Sequence, residues 1–350
     1  MKSISLKFTE IPERLIIFIN NKSHSSPPEH ERGFLDIVSI AVISDTHFGL
    51  DRSTLSNSDS VGQLIWEIWK FGGGCDEVVL LGDIFDFWRV RPEKALRDSV
   101  FFFRRLSDLD LRVRYVVGNH DHHLAVMHQE NELLERVARG DLFSIYSPNL
   151  RWSQRINGQS IEMFYPTYCT RCRSRSVMFS HGHHLDGLES FSIQLIEQLR
   201  RLSGEDLSPS DLEMMMTYAY ESIYRSSYIG EMVELEERLW KVSSFFYRFK
   251  ASVLKTLRFT PIERQYEAII RFIREQNGGR ADLFVYGDTH RPDLYQRPGG
   301  PVAVNTGCFL AEENAGCRKE TRDTYLIMNE NGVFLRQLGR VDPLCCREYA

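Results

Sequence analysis

An α/β fold built on a parallel sheet is predicted by three features of the sequence. Apolar runs of strand length alternate with helical segments from residue 37 onward. Several of those runs stop at a Gly, a carboxylate or an imidazole, as strands do when they deliver side chains to a crevice at a sheet edge. The 350 residues, 42% hydrophobic and 26% charged, have the composition of a soluble globular chain with a full core. A net charge of -5 gives no reason to expect a nucleic-acid partner. Seven cysteines, an odd count scattered over the chain, point to free thiols in a reducing compartment, hence the cytoplasm. Residues 15–19 are too short for a signal-peptide core, and no apolar run approaches the roughly 18 residues of a membrane span.

In order, residues 1–36 read as an N-terminal appendage with Pro27 and Pro28 in a polar loop. Residues 37–44 form a strand ending in Asp45-Thr46-His47. A helix over 61–71 stops at Gly72-Gly73-Gly74. The strand over 78–81 then ends in Gly82-Asp83-Ile84-Phe85-Asp86, and a helix is expected over 93–109. A third strand over 113–117 runs into Gly118-Asn119-His120-Asp121. Short runs at 143–146, 152–156, 161–165 and 177–180 suggest a second, partly antiparallel sheet, the last ending in His181. Residues 188–276 carry helical patterning. A strand over 283–286 ends in Gly287-Asp288-Thr289-His290, and runs at 302–305, 325–328 and 333–338 are expected to close the second sheet. The domain boundaries follow: 37–187 with 281–340 as the catalytic-type domain, 188–280 as an insertion, and 341–350 as a tail.

Five polar clusters thus sit at strand ends: Asp45/His47, Asp83/Asp86, Asn119/His120/Asp121, His181 and Asp288/His290. Asp83 has two oxygens and can bridge two cations. The set is imidazole, carboxylate and one amide without thiolate, which suits Mn, Fe, Zn or Co. Singly, each cluster could be a helix cap or a turn. Together, in this order, they are hard to obtain from capping.

The motifs D-x-H, G-D-x-x-D, G-N-H-D, a lone His and G-D-x-H resemble those of the calcineurin-like metallophosphoesterases, over residues 38 to about 310. The resemblance implies a four-layer α/β/β/α sandwich with a dinuclear site. It assigns Asp45, His47, Asp83 and His290 to one divalent ion, and Asp83, Asn119, His181 and Asp288 to the other. The family usually has histidine at the position of Asp288. A carboxylate there still ligates, adds one negative charge, and favours Mn²⁺ or Fe²⁺ over Zn²⁺, with Mg²⁺ a further option. The implied activity is hydrolysis of a P–O bond by a metal-bridged hydroxide, with His120 as general acid and Asp86 orienting it.

The stretch from Leu80 to Arg89 is similar to that of the UDP-2,3-diacylglucosamine pyrophosphatase branch, which also carries a helical lid in the position of 188–280 and commonly has Arg where this chain has His120. That similarity implies a diphosphate or phosphodiester substrate with an apolar part, a phosphorylated small molecule or lipid. A nucleotide phosphodiesterase or phosphomonoesterase and a non-catalytic binding scaffold are the alternatives. Arg89, His183 and Arg171 are candidate substrate contacts, while His122, His123 and His184 read as solvated loop residues. Residues 238–258 interleave basic and aromatic side chains, a pattern compatible with a lid packed on the sandwich or with peripheral contact to an anionic membrane. Cys169 and Cys172 form a lone C-x-x-C pair, weak evidence for metal or redox chemistry.

Overall fold

Helix α1, Ser58–Gly72, shows how locally the elements are specified. Asn57 caps its first turn by accepting from the Asp59 N–H at 2.8 Å. Its last turn is closed by Gly73 in the left-handed region at φ 67°, whose N–H reaches the Trp69 carbonyl. The structure, a computed structural model, describes residues 39–109, 111–140, 149–185, 221, 262–276, 279–311 and 321–349. The chain divides into two units, Met1–Leu35 and Asp36–Ala350, and all described residues belong to the second. The expected appendage and segment 238–258 therefore lie outside the described residues, as does all of the 188–280 insertion except 221, 262–276 and 279–280.

Strands β1 (Ile40–Ile43), β2 (Glu77–Leu81) and β3 (Arg112–Val116) pair in parallel, as the alternation with helices predicts. The helix expected over 93–109 is two, α2 (Pro92–Asp98) and α3 (Val100–Ser107). They break at Ser99, whose hydroxyl turns back onto the Leu96 carbonyl at 2.8 Å and competes with the helical ladder. After β3 comes α4 (His123–Ala138), then β4 (Leu150–Ile156), β5 (Gln159–Tyr165), β6 (Thr167–Cys172) and β7 (Arg175–Ser180). Helix α5 (Ile262–Glu275) precedes β8 (Leu283–Tyr286), β9 (Asp293–Gln296), β10 (Val302–Asn305), β11 (Thr324–Asn329), β12 (Gly332–Gln337) and β13 (Cys345–Glu348).

Two sheets result, of eight strands (β13-β12-β11-β1-β2-β3-β5-β4) and five (β6-β7-β8-β10-β9). Four strands expected in the second sheet belong to the first. Strand β11 pairs antiparallel with β1, and β5 pairs parallel with β3. They and their hairpin partners β12 and β4 cover what would otherwise be open edges of the β1–β3 unit. The segment expected as a tail carries β13, exposed along its length and held to β12 by the backbone ladder.

Alternate residues of each strand feed different cores, which fixes the layers. Ile40, Val42, Val79, Leu81 and Val116 meet Phe179, Val285 and Val304 between the two sheets. Ala41, Ile43, Val78, Leu80 and Tyr115 face outward onto Leu64 and Ile68 of α1 and onto Phe102 and Phe103 of α3. On the far side Met178, Phe284 and Tyr286 pack on Ile269, Phe272 and Ile273 of α5. The order is helix, sheet, sheet, helix. Each buried large side chain in these layers contributes about 1.5–3 kcal/mol.

Among the described residues five cysteines are free, Cys75, Cys169, Cys172, Cys345 and Cys346. Cys308 is disulfide-bonded, which corrects the expectation of free thiols throughout. Cys169 and Cys172 differ in environment, exposed against buried, so the C-x-x-C pair does not present two thiols to one ligand. Among the described residues no helix is long and apolar enough to cross a membrane.

Candidate metal centre

Strands β1, β2 and β3 of one sheet and the parallel pair β7 and β8 of the other deliver their carboxyl ends to one place. The loops that leave them are laced together by the backbone. Asp45 N–H reaches Gly82 O at 3.1 Å, His47 N–H reaches Asp83 O at 2.9 Å, and Gly287 N–H reaches His181 O at 2.8 Å. Five residues of the expected ligand set stand in the left-handed region: Asp45 (φ 51°), His47 (45°), Asp83 (53°), Asp288 (64°) and His290 (57°). Such a conformation costs about 1–3 kcal/mol at a non-glycine residue and persists where the surroundings over-determine it. Here it turns successive side chains out of the strand direction and into a common site.

Around Asp83 the distances close the site. Its Oδ1 accepts the His120 N–H at 2.9 Å and lies 3.3 Å from His181 Nε2. Its Oδ2 lies 3.8 Å from His47 Nε2 and 3.9 Å from His120 Nε2. His290 Nε2 is 3.3 Å from Asp45 Oδ1 and 3.3 Å from His47 Nε2. Asp288 Oδ1 faces His181 Nε2 at 3.7 Å. Three overlapping groups, Asp45/His47/His290, His47/Asp83/His120 and Asp45/Asp83/His181, each bring their ligand atoms within 4.8 Å of one another.

Donors and acceptors within this cluster balance only where a proton or a cation sits between them. His181 Nδ1 hydrogen-bonds the Leu81 carbonyl at 2.9 Å, so that nitrogen carries a proton, and Nε2, facing two carboxylate oxygens, needs either a second proton or a cation between them. His47 Nδ1 lies 3.1 Å from Asp86 Oδ2, which leaves its Nε2 as an acceptor against His290 Nε2. The buried Asn119 Oδ1 has no hydrogen-bond partner. Converging acceptors with an orphaned amide oxygen are the donor set of a divalent-metal site, and the residues fit the two ions that the motifs imply.

Charges in the cluster shift accordingly. Burial disfavours the charged form of His181, but Asp83, Asp45 and Asp288 outweigh it and lift the imidazole well above its ordinary value. Burial opposes protonation of His120 too, and Asp86 and Asp83 overcome it to raise that group. At His47 burial wins and its affinity for a proton falls. Burial pushes Asp83 and Asp86 upward, yet the surrounding imidazoles, His181 and His120 foremost, hold both low. Asp288 is raised by burial, against the pull of His181 and His183. A field that retains protons on buried imidazoles is also one that retains cations.

Asp86 is the hub behind the ligands. Its Oδ2 meets His47 Nδ1, His120 Nδ1 and Arg89 Nη1, each at 3.1 Å, and its Oδ1 accepts the Arg89 N–H at 2.9 Å. Arg89 therefore serves Asp86 directly. His183 lies with its ring 5.6 Å from that of His181, at the edge of the site. Arg171 is not brought in. It is exposed near the turn of the β6–β7 hairpin, opposite Ser176, five residues and roughly 16 Å of strand before His181. His122, expected in solvent, is buried with its ring 5.0 Å from Tyr165, and His184 packs on Phe272 at 4.0 Å.

Two residues of this architecture had no assigned role in the sequence. Asp121 is fully buried and accepts from Gly118 N–H at 2.7 Å, Ile84 N–H at 2.8 Å and the Tyr115 hydroxyl, tying the β2 and β3 loops together. Burial and the charge of Asp83 push its carboxyl up to about 6. Asn305, at the end of β10, donates to Gly287 O at 2.6 Å and Thr289 Oγ1 at 2.9 Å and so fixes the loop that carries Asp288 and His290. Asp121's place inside G-N-H-D was the available signal; Asn305 offered none.

Glycine is required at the closest approaches. A Cβ on Gly118 would run into Asp83 Oδ1, and one on Gly82 (φ 75°) into the His181 ring. Gly118→Ala is expected to weaken metal binding about 10–100-fold by displacing Asp83, at a cost of about 1–3 kcal/mol in stability. Manganese titration and thermal denaturation of the metal-free protein read the two effects separately.

The sequence model described as Calcineurin-like phosphoesterase matches residues 38–292. No curated protein matches the chain. Among solved structures, a dimetal phosphatase from Danio rerio aligns at 11% identity and TM-score 0.43, covering 90% of this chain and 100% of that one. Vacuolar Protein Sorting 29 from Cryptosporidium parvum aligns at 11% identity and TM-score 0.38, covering 90% and 98%. An uncharacterized protein from Streptococcus pneumoniae TIGR4, described as a predicted phosphoesterase, aligns at 13% identity and TM-score 0.33, covering 89% and 97%. These similarities are too remote to assign an activity.

Proposed function

This chain belongs to the calcineurin-like phosphoesterase family, and from that premise we propose that it hydrolyses a phosphodiester or diphosphate whose leaving portion has apolar character. That it is a metal-dependent phosphoesterase follows from the family and from the ligand groups around Asp83. The finer reading is carried by Asp288, a carboxylate beside His181 where the family usually has a neutral histidine. The added negative charge repels a dianionic monoester more than a singly charged diester. Half-buried Trp88, stacked on His120, supplies an apolar surface at the rim for the rest of the substrate. A UDP-linked acylated sugar is one substrate of this chemistry, and a nucleotide diester is another.

Asp45, His47, Asp83 and His290 would hold one divalent ion, and Asp83, Asn119, His181 and Asp288 the other. Two such ions supply Lewis acidity toward phosphoryl oxygens and activate water at neutral pH. The oxygen-rich second set favours manganese. On the leaving side, His120 is taken as the acid. Asp86 Oδ2 lies 3.1 Å from its Nδ1, and the charges of Asp86 and Asp83 raise the affinity of the ring for a proton against burial. As the P–O bond breaks, its electron pair stays on the leaving oxygen, which takes the proton from His120 Nε2. His47 and His181 are held in the tautomer that offers Nε2 outward, by Asp86 and by the Leu81 carbonyl.

The test is hydrolysis of bis(p-nitrophenyl) phosphate against p-nitrophenyl phosphate with Mn²⁺. The diester is expected to show the higher kcat/KM, and Asp288→His is expected to shift the ratio toward the monoester. Rates indistinguishable between wild type and Asp83→Ala would instead favour a binding scaffold on this fold. Five free cysteines support a reducing compartment, and the bonded Cys308 speaks against it; on balance we propose action in the cytoplasm.

A further inference from the structure

We propose that Trp88 is a positioning residue for the proton donor: its indole fixes the ring plane of His120, so that Nε2 stays directed at the leaving-group oxygen. This rests on the assignment of His120 as the acid. The Trp88 and His120 rings lie 4.0 Å apart between centroids at 29°. His47 meets another side of the same imidazole edge-on, with centroids 4.8 Å apart and planes at 88°. Asp86 Oδ2 stands 3.1 Å from Nδ1 as a charged neighbour. An imidazole held at one nitrogen by charge alone can still swing about that contact. A face contact and an edge contact remove this freedom.

The stack is built into the backbone. Phe87 N–H donates to the His120 carbonyl at 3.2 Å, and Arg89 N–H donates to Asp86 Oδ1 at 2.9 Å. Trp88 lies between these two anchored residues. Asp121 ties the same two loops together through Ile84 and Gly118. The indole therefore has little room to leave the imidazole, and His120 retains only 8% exposure.

In the reaction the P–O bond to the leaving group breaks, its electron pair passes to the leaving oxygen, and the proton of His120 Nε2 goes to that oxygen. The attacking water forms the new P–O bond and gives up its proton to solvent. Misdirection of Nε2 harms only the proton transfer. The loss therefore depends on how much the leaving oxygen needs a proton. Phenolate needs it more than p-nitrophenolate does.

The experiment measures kcat, KM and bound manganese for the Mn²⁺-loaded full chain on diphenyl phosphate and bis(p-nitrophenyl) phosphate. Trp88→Ala is expected to lose at least about tenfold more in kcat on the phenyl ester than on the nitrophenyl ester. Trp88→Phe, which keeps a stacking face, is expected to recover most of that difference. In a His120→Ala background the further loss from Trp88→Ala on the phenyl ester is expected to vanish. Equal losses on the two esters, or losses that add in the double variant, overturn the positioning role while His120 keeps its own leaving-group signature. If His120→Ala itself loses equally on both esters, the acid assignment falls, and the role of Trp88 falls with it.

Discussion

Asp83→Asn is expected to lower phosphodiester hydrolysis by about 10³-fold or more. The change keeps the shape of the side chain and removes its charge. Asp83 is the one residue common to the His47/Asp83/His120 and Asp45/Asp83/His181 groups, so both halves of the site lose a ligand at once. Asp83 is 2% exposed, and its carboxylate lies 3.3 Å from His181, 3.9 Å from His120 and 3.8 Å from His47. An amide can still accept the His120 N–H through its oxygen, so the loop geometry has a route to survive. Metal analysis of the purified variant should then show well under two ions per chain. A variant that bound two ions and turned over normally would remove Asp83 from the centre of the site.

How much of this was readable in the sequence depends on which forces are local. Strands β1, β2 and β8 are buried on both faces and β3 at its carboxyl end, so they appear as short apolar runs there, and the polar residues after them stand out. The candidate ligands were legible for that reason. Their left-handed backbone was not, because Asp and His at positive φ are imposed by the loops that meet them. Sheet membership was illegible as well. Nothing in 324–329 says that its partner lies at 40–42; that pairing is set by the open edge of β1. Strands β6, β9 and β13 carry Thr167-Tyr168-Cys169, Asp293-Leu294-Tyr295 and Cys345-Cys346, with no clean alternation, and are held mainly by ladder hydrogen bonds. Helix α4 escaped notice because it buries only Ala125 and Val126 and leaves Leu133, Leu134 and Val137 half or more exposed.

Asp86 and His120 should separate cleanly, because one serves two masters and the other one. His120→Ala removes the proposed proton donor, whose contacts are with Asp86, Asp83, Trp88 and the edge of the His47 ring. Its turnover is expected to fall by about 10²–10⁴-fold while manganese affinity stays near wild type. Asp86→Asn acts on both sides. The carboxylate receives His47, His120 and Arg89 on one oxygen, and an amide cannot accept from all three while offering an N–H in the same crowded space. His47 would then lose the partner that keeps its Nε2 turned toward the site, and metal affinity is expected to drop about 10–100-fold. Turnover at saturating manganese should still be depressed, because His120 has lost the charge that keeps it protonated. Calorimetric manganese titration combined with kcat at saturating metal distinguishes the two variants. If Asp86→Asn bound metal like wild type and matched His120→Ala in turnover, the Asp86–His47 contact would be without consequence for the metal, and Asp86 would belong to the acid alone.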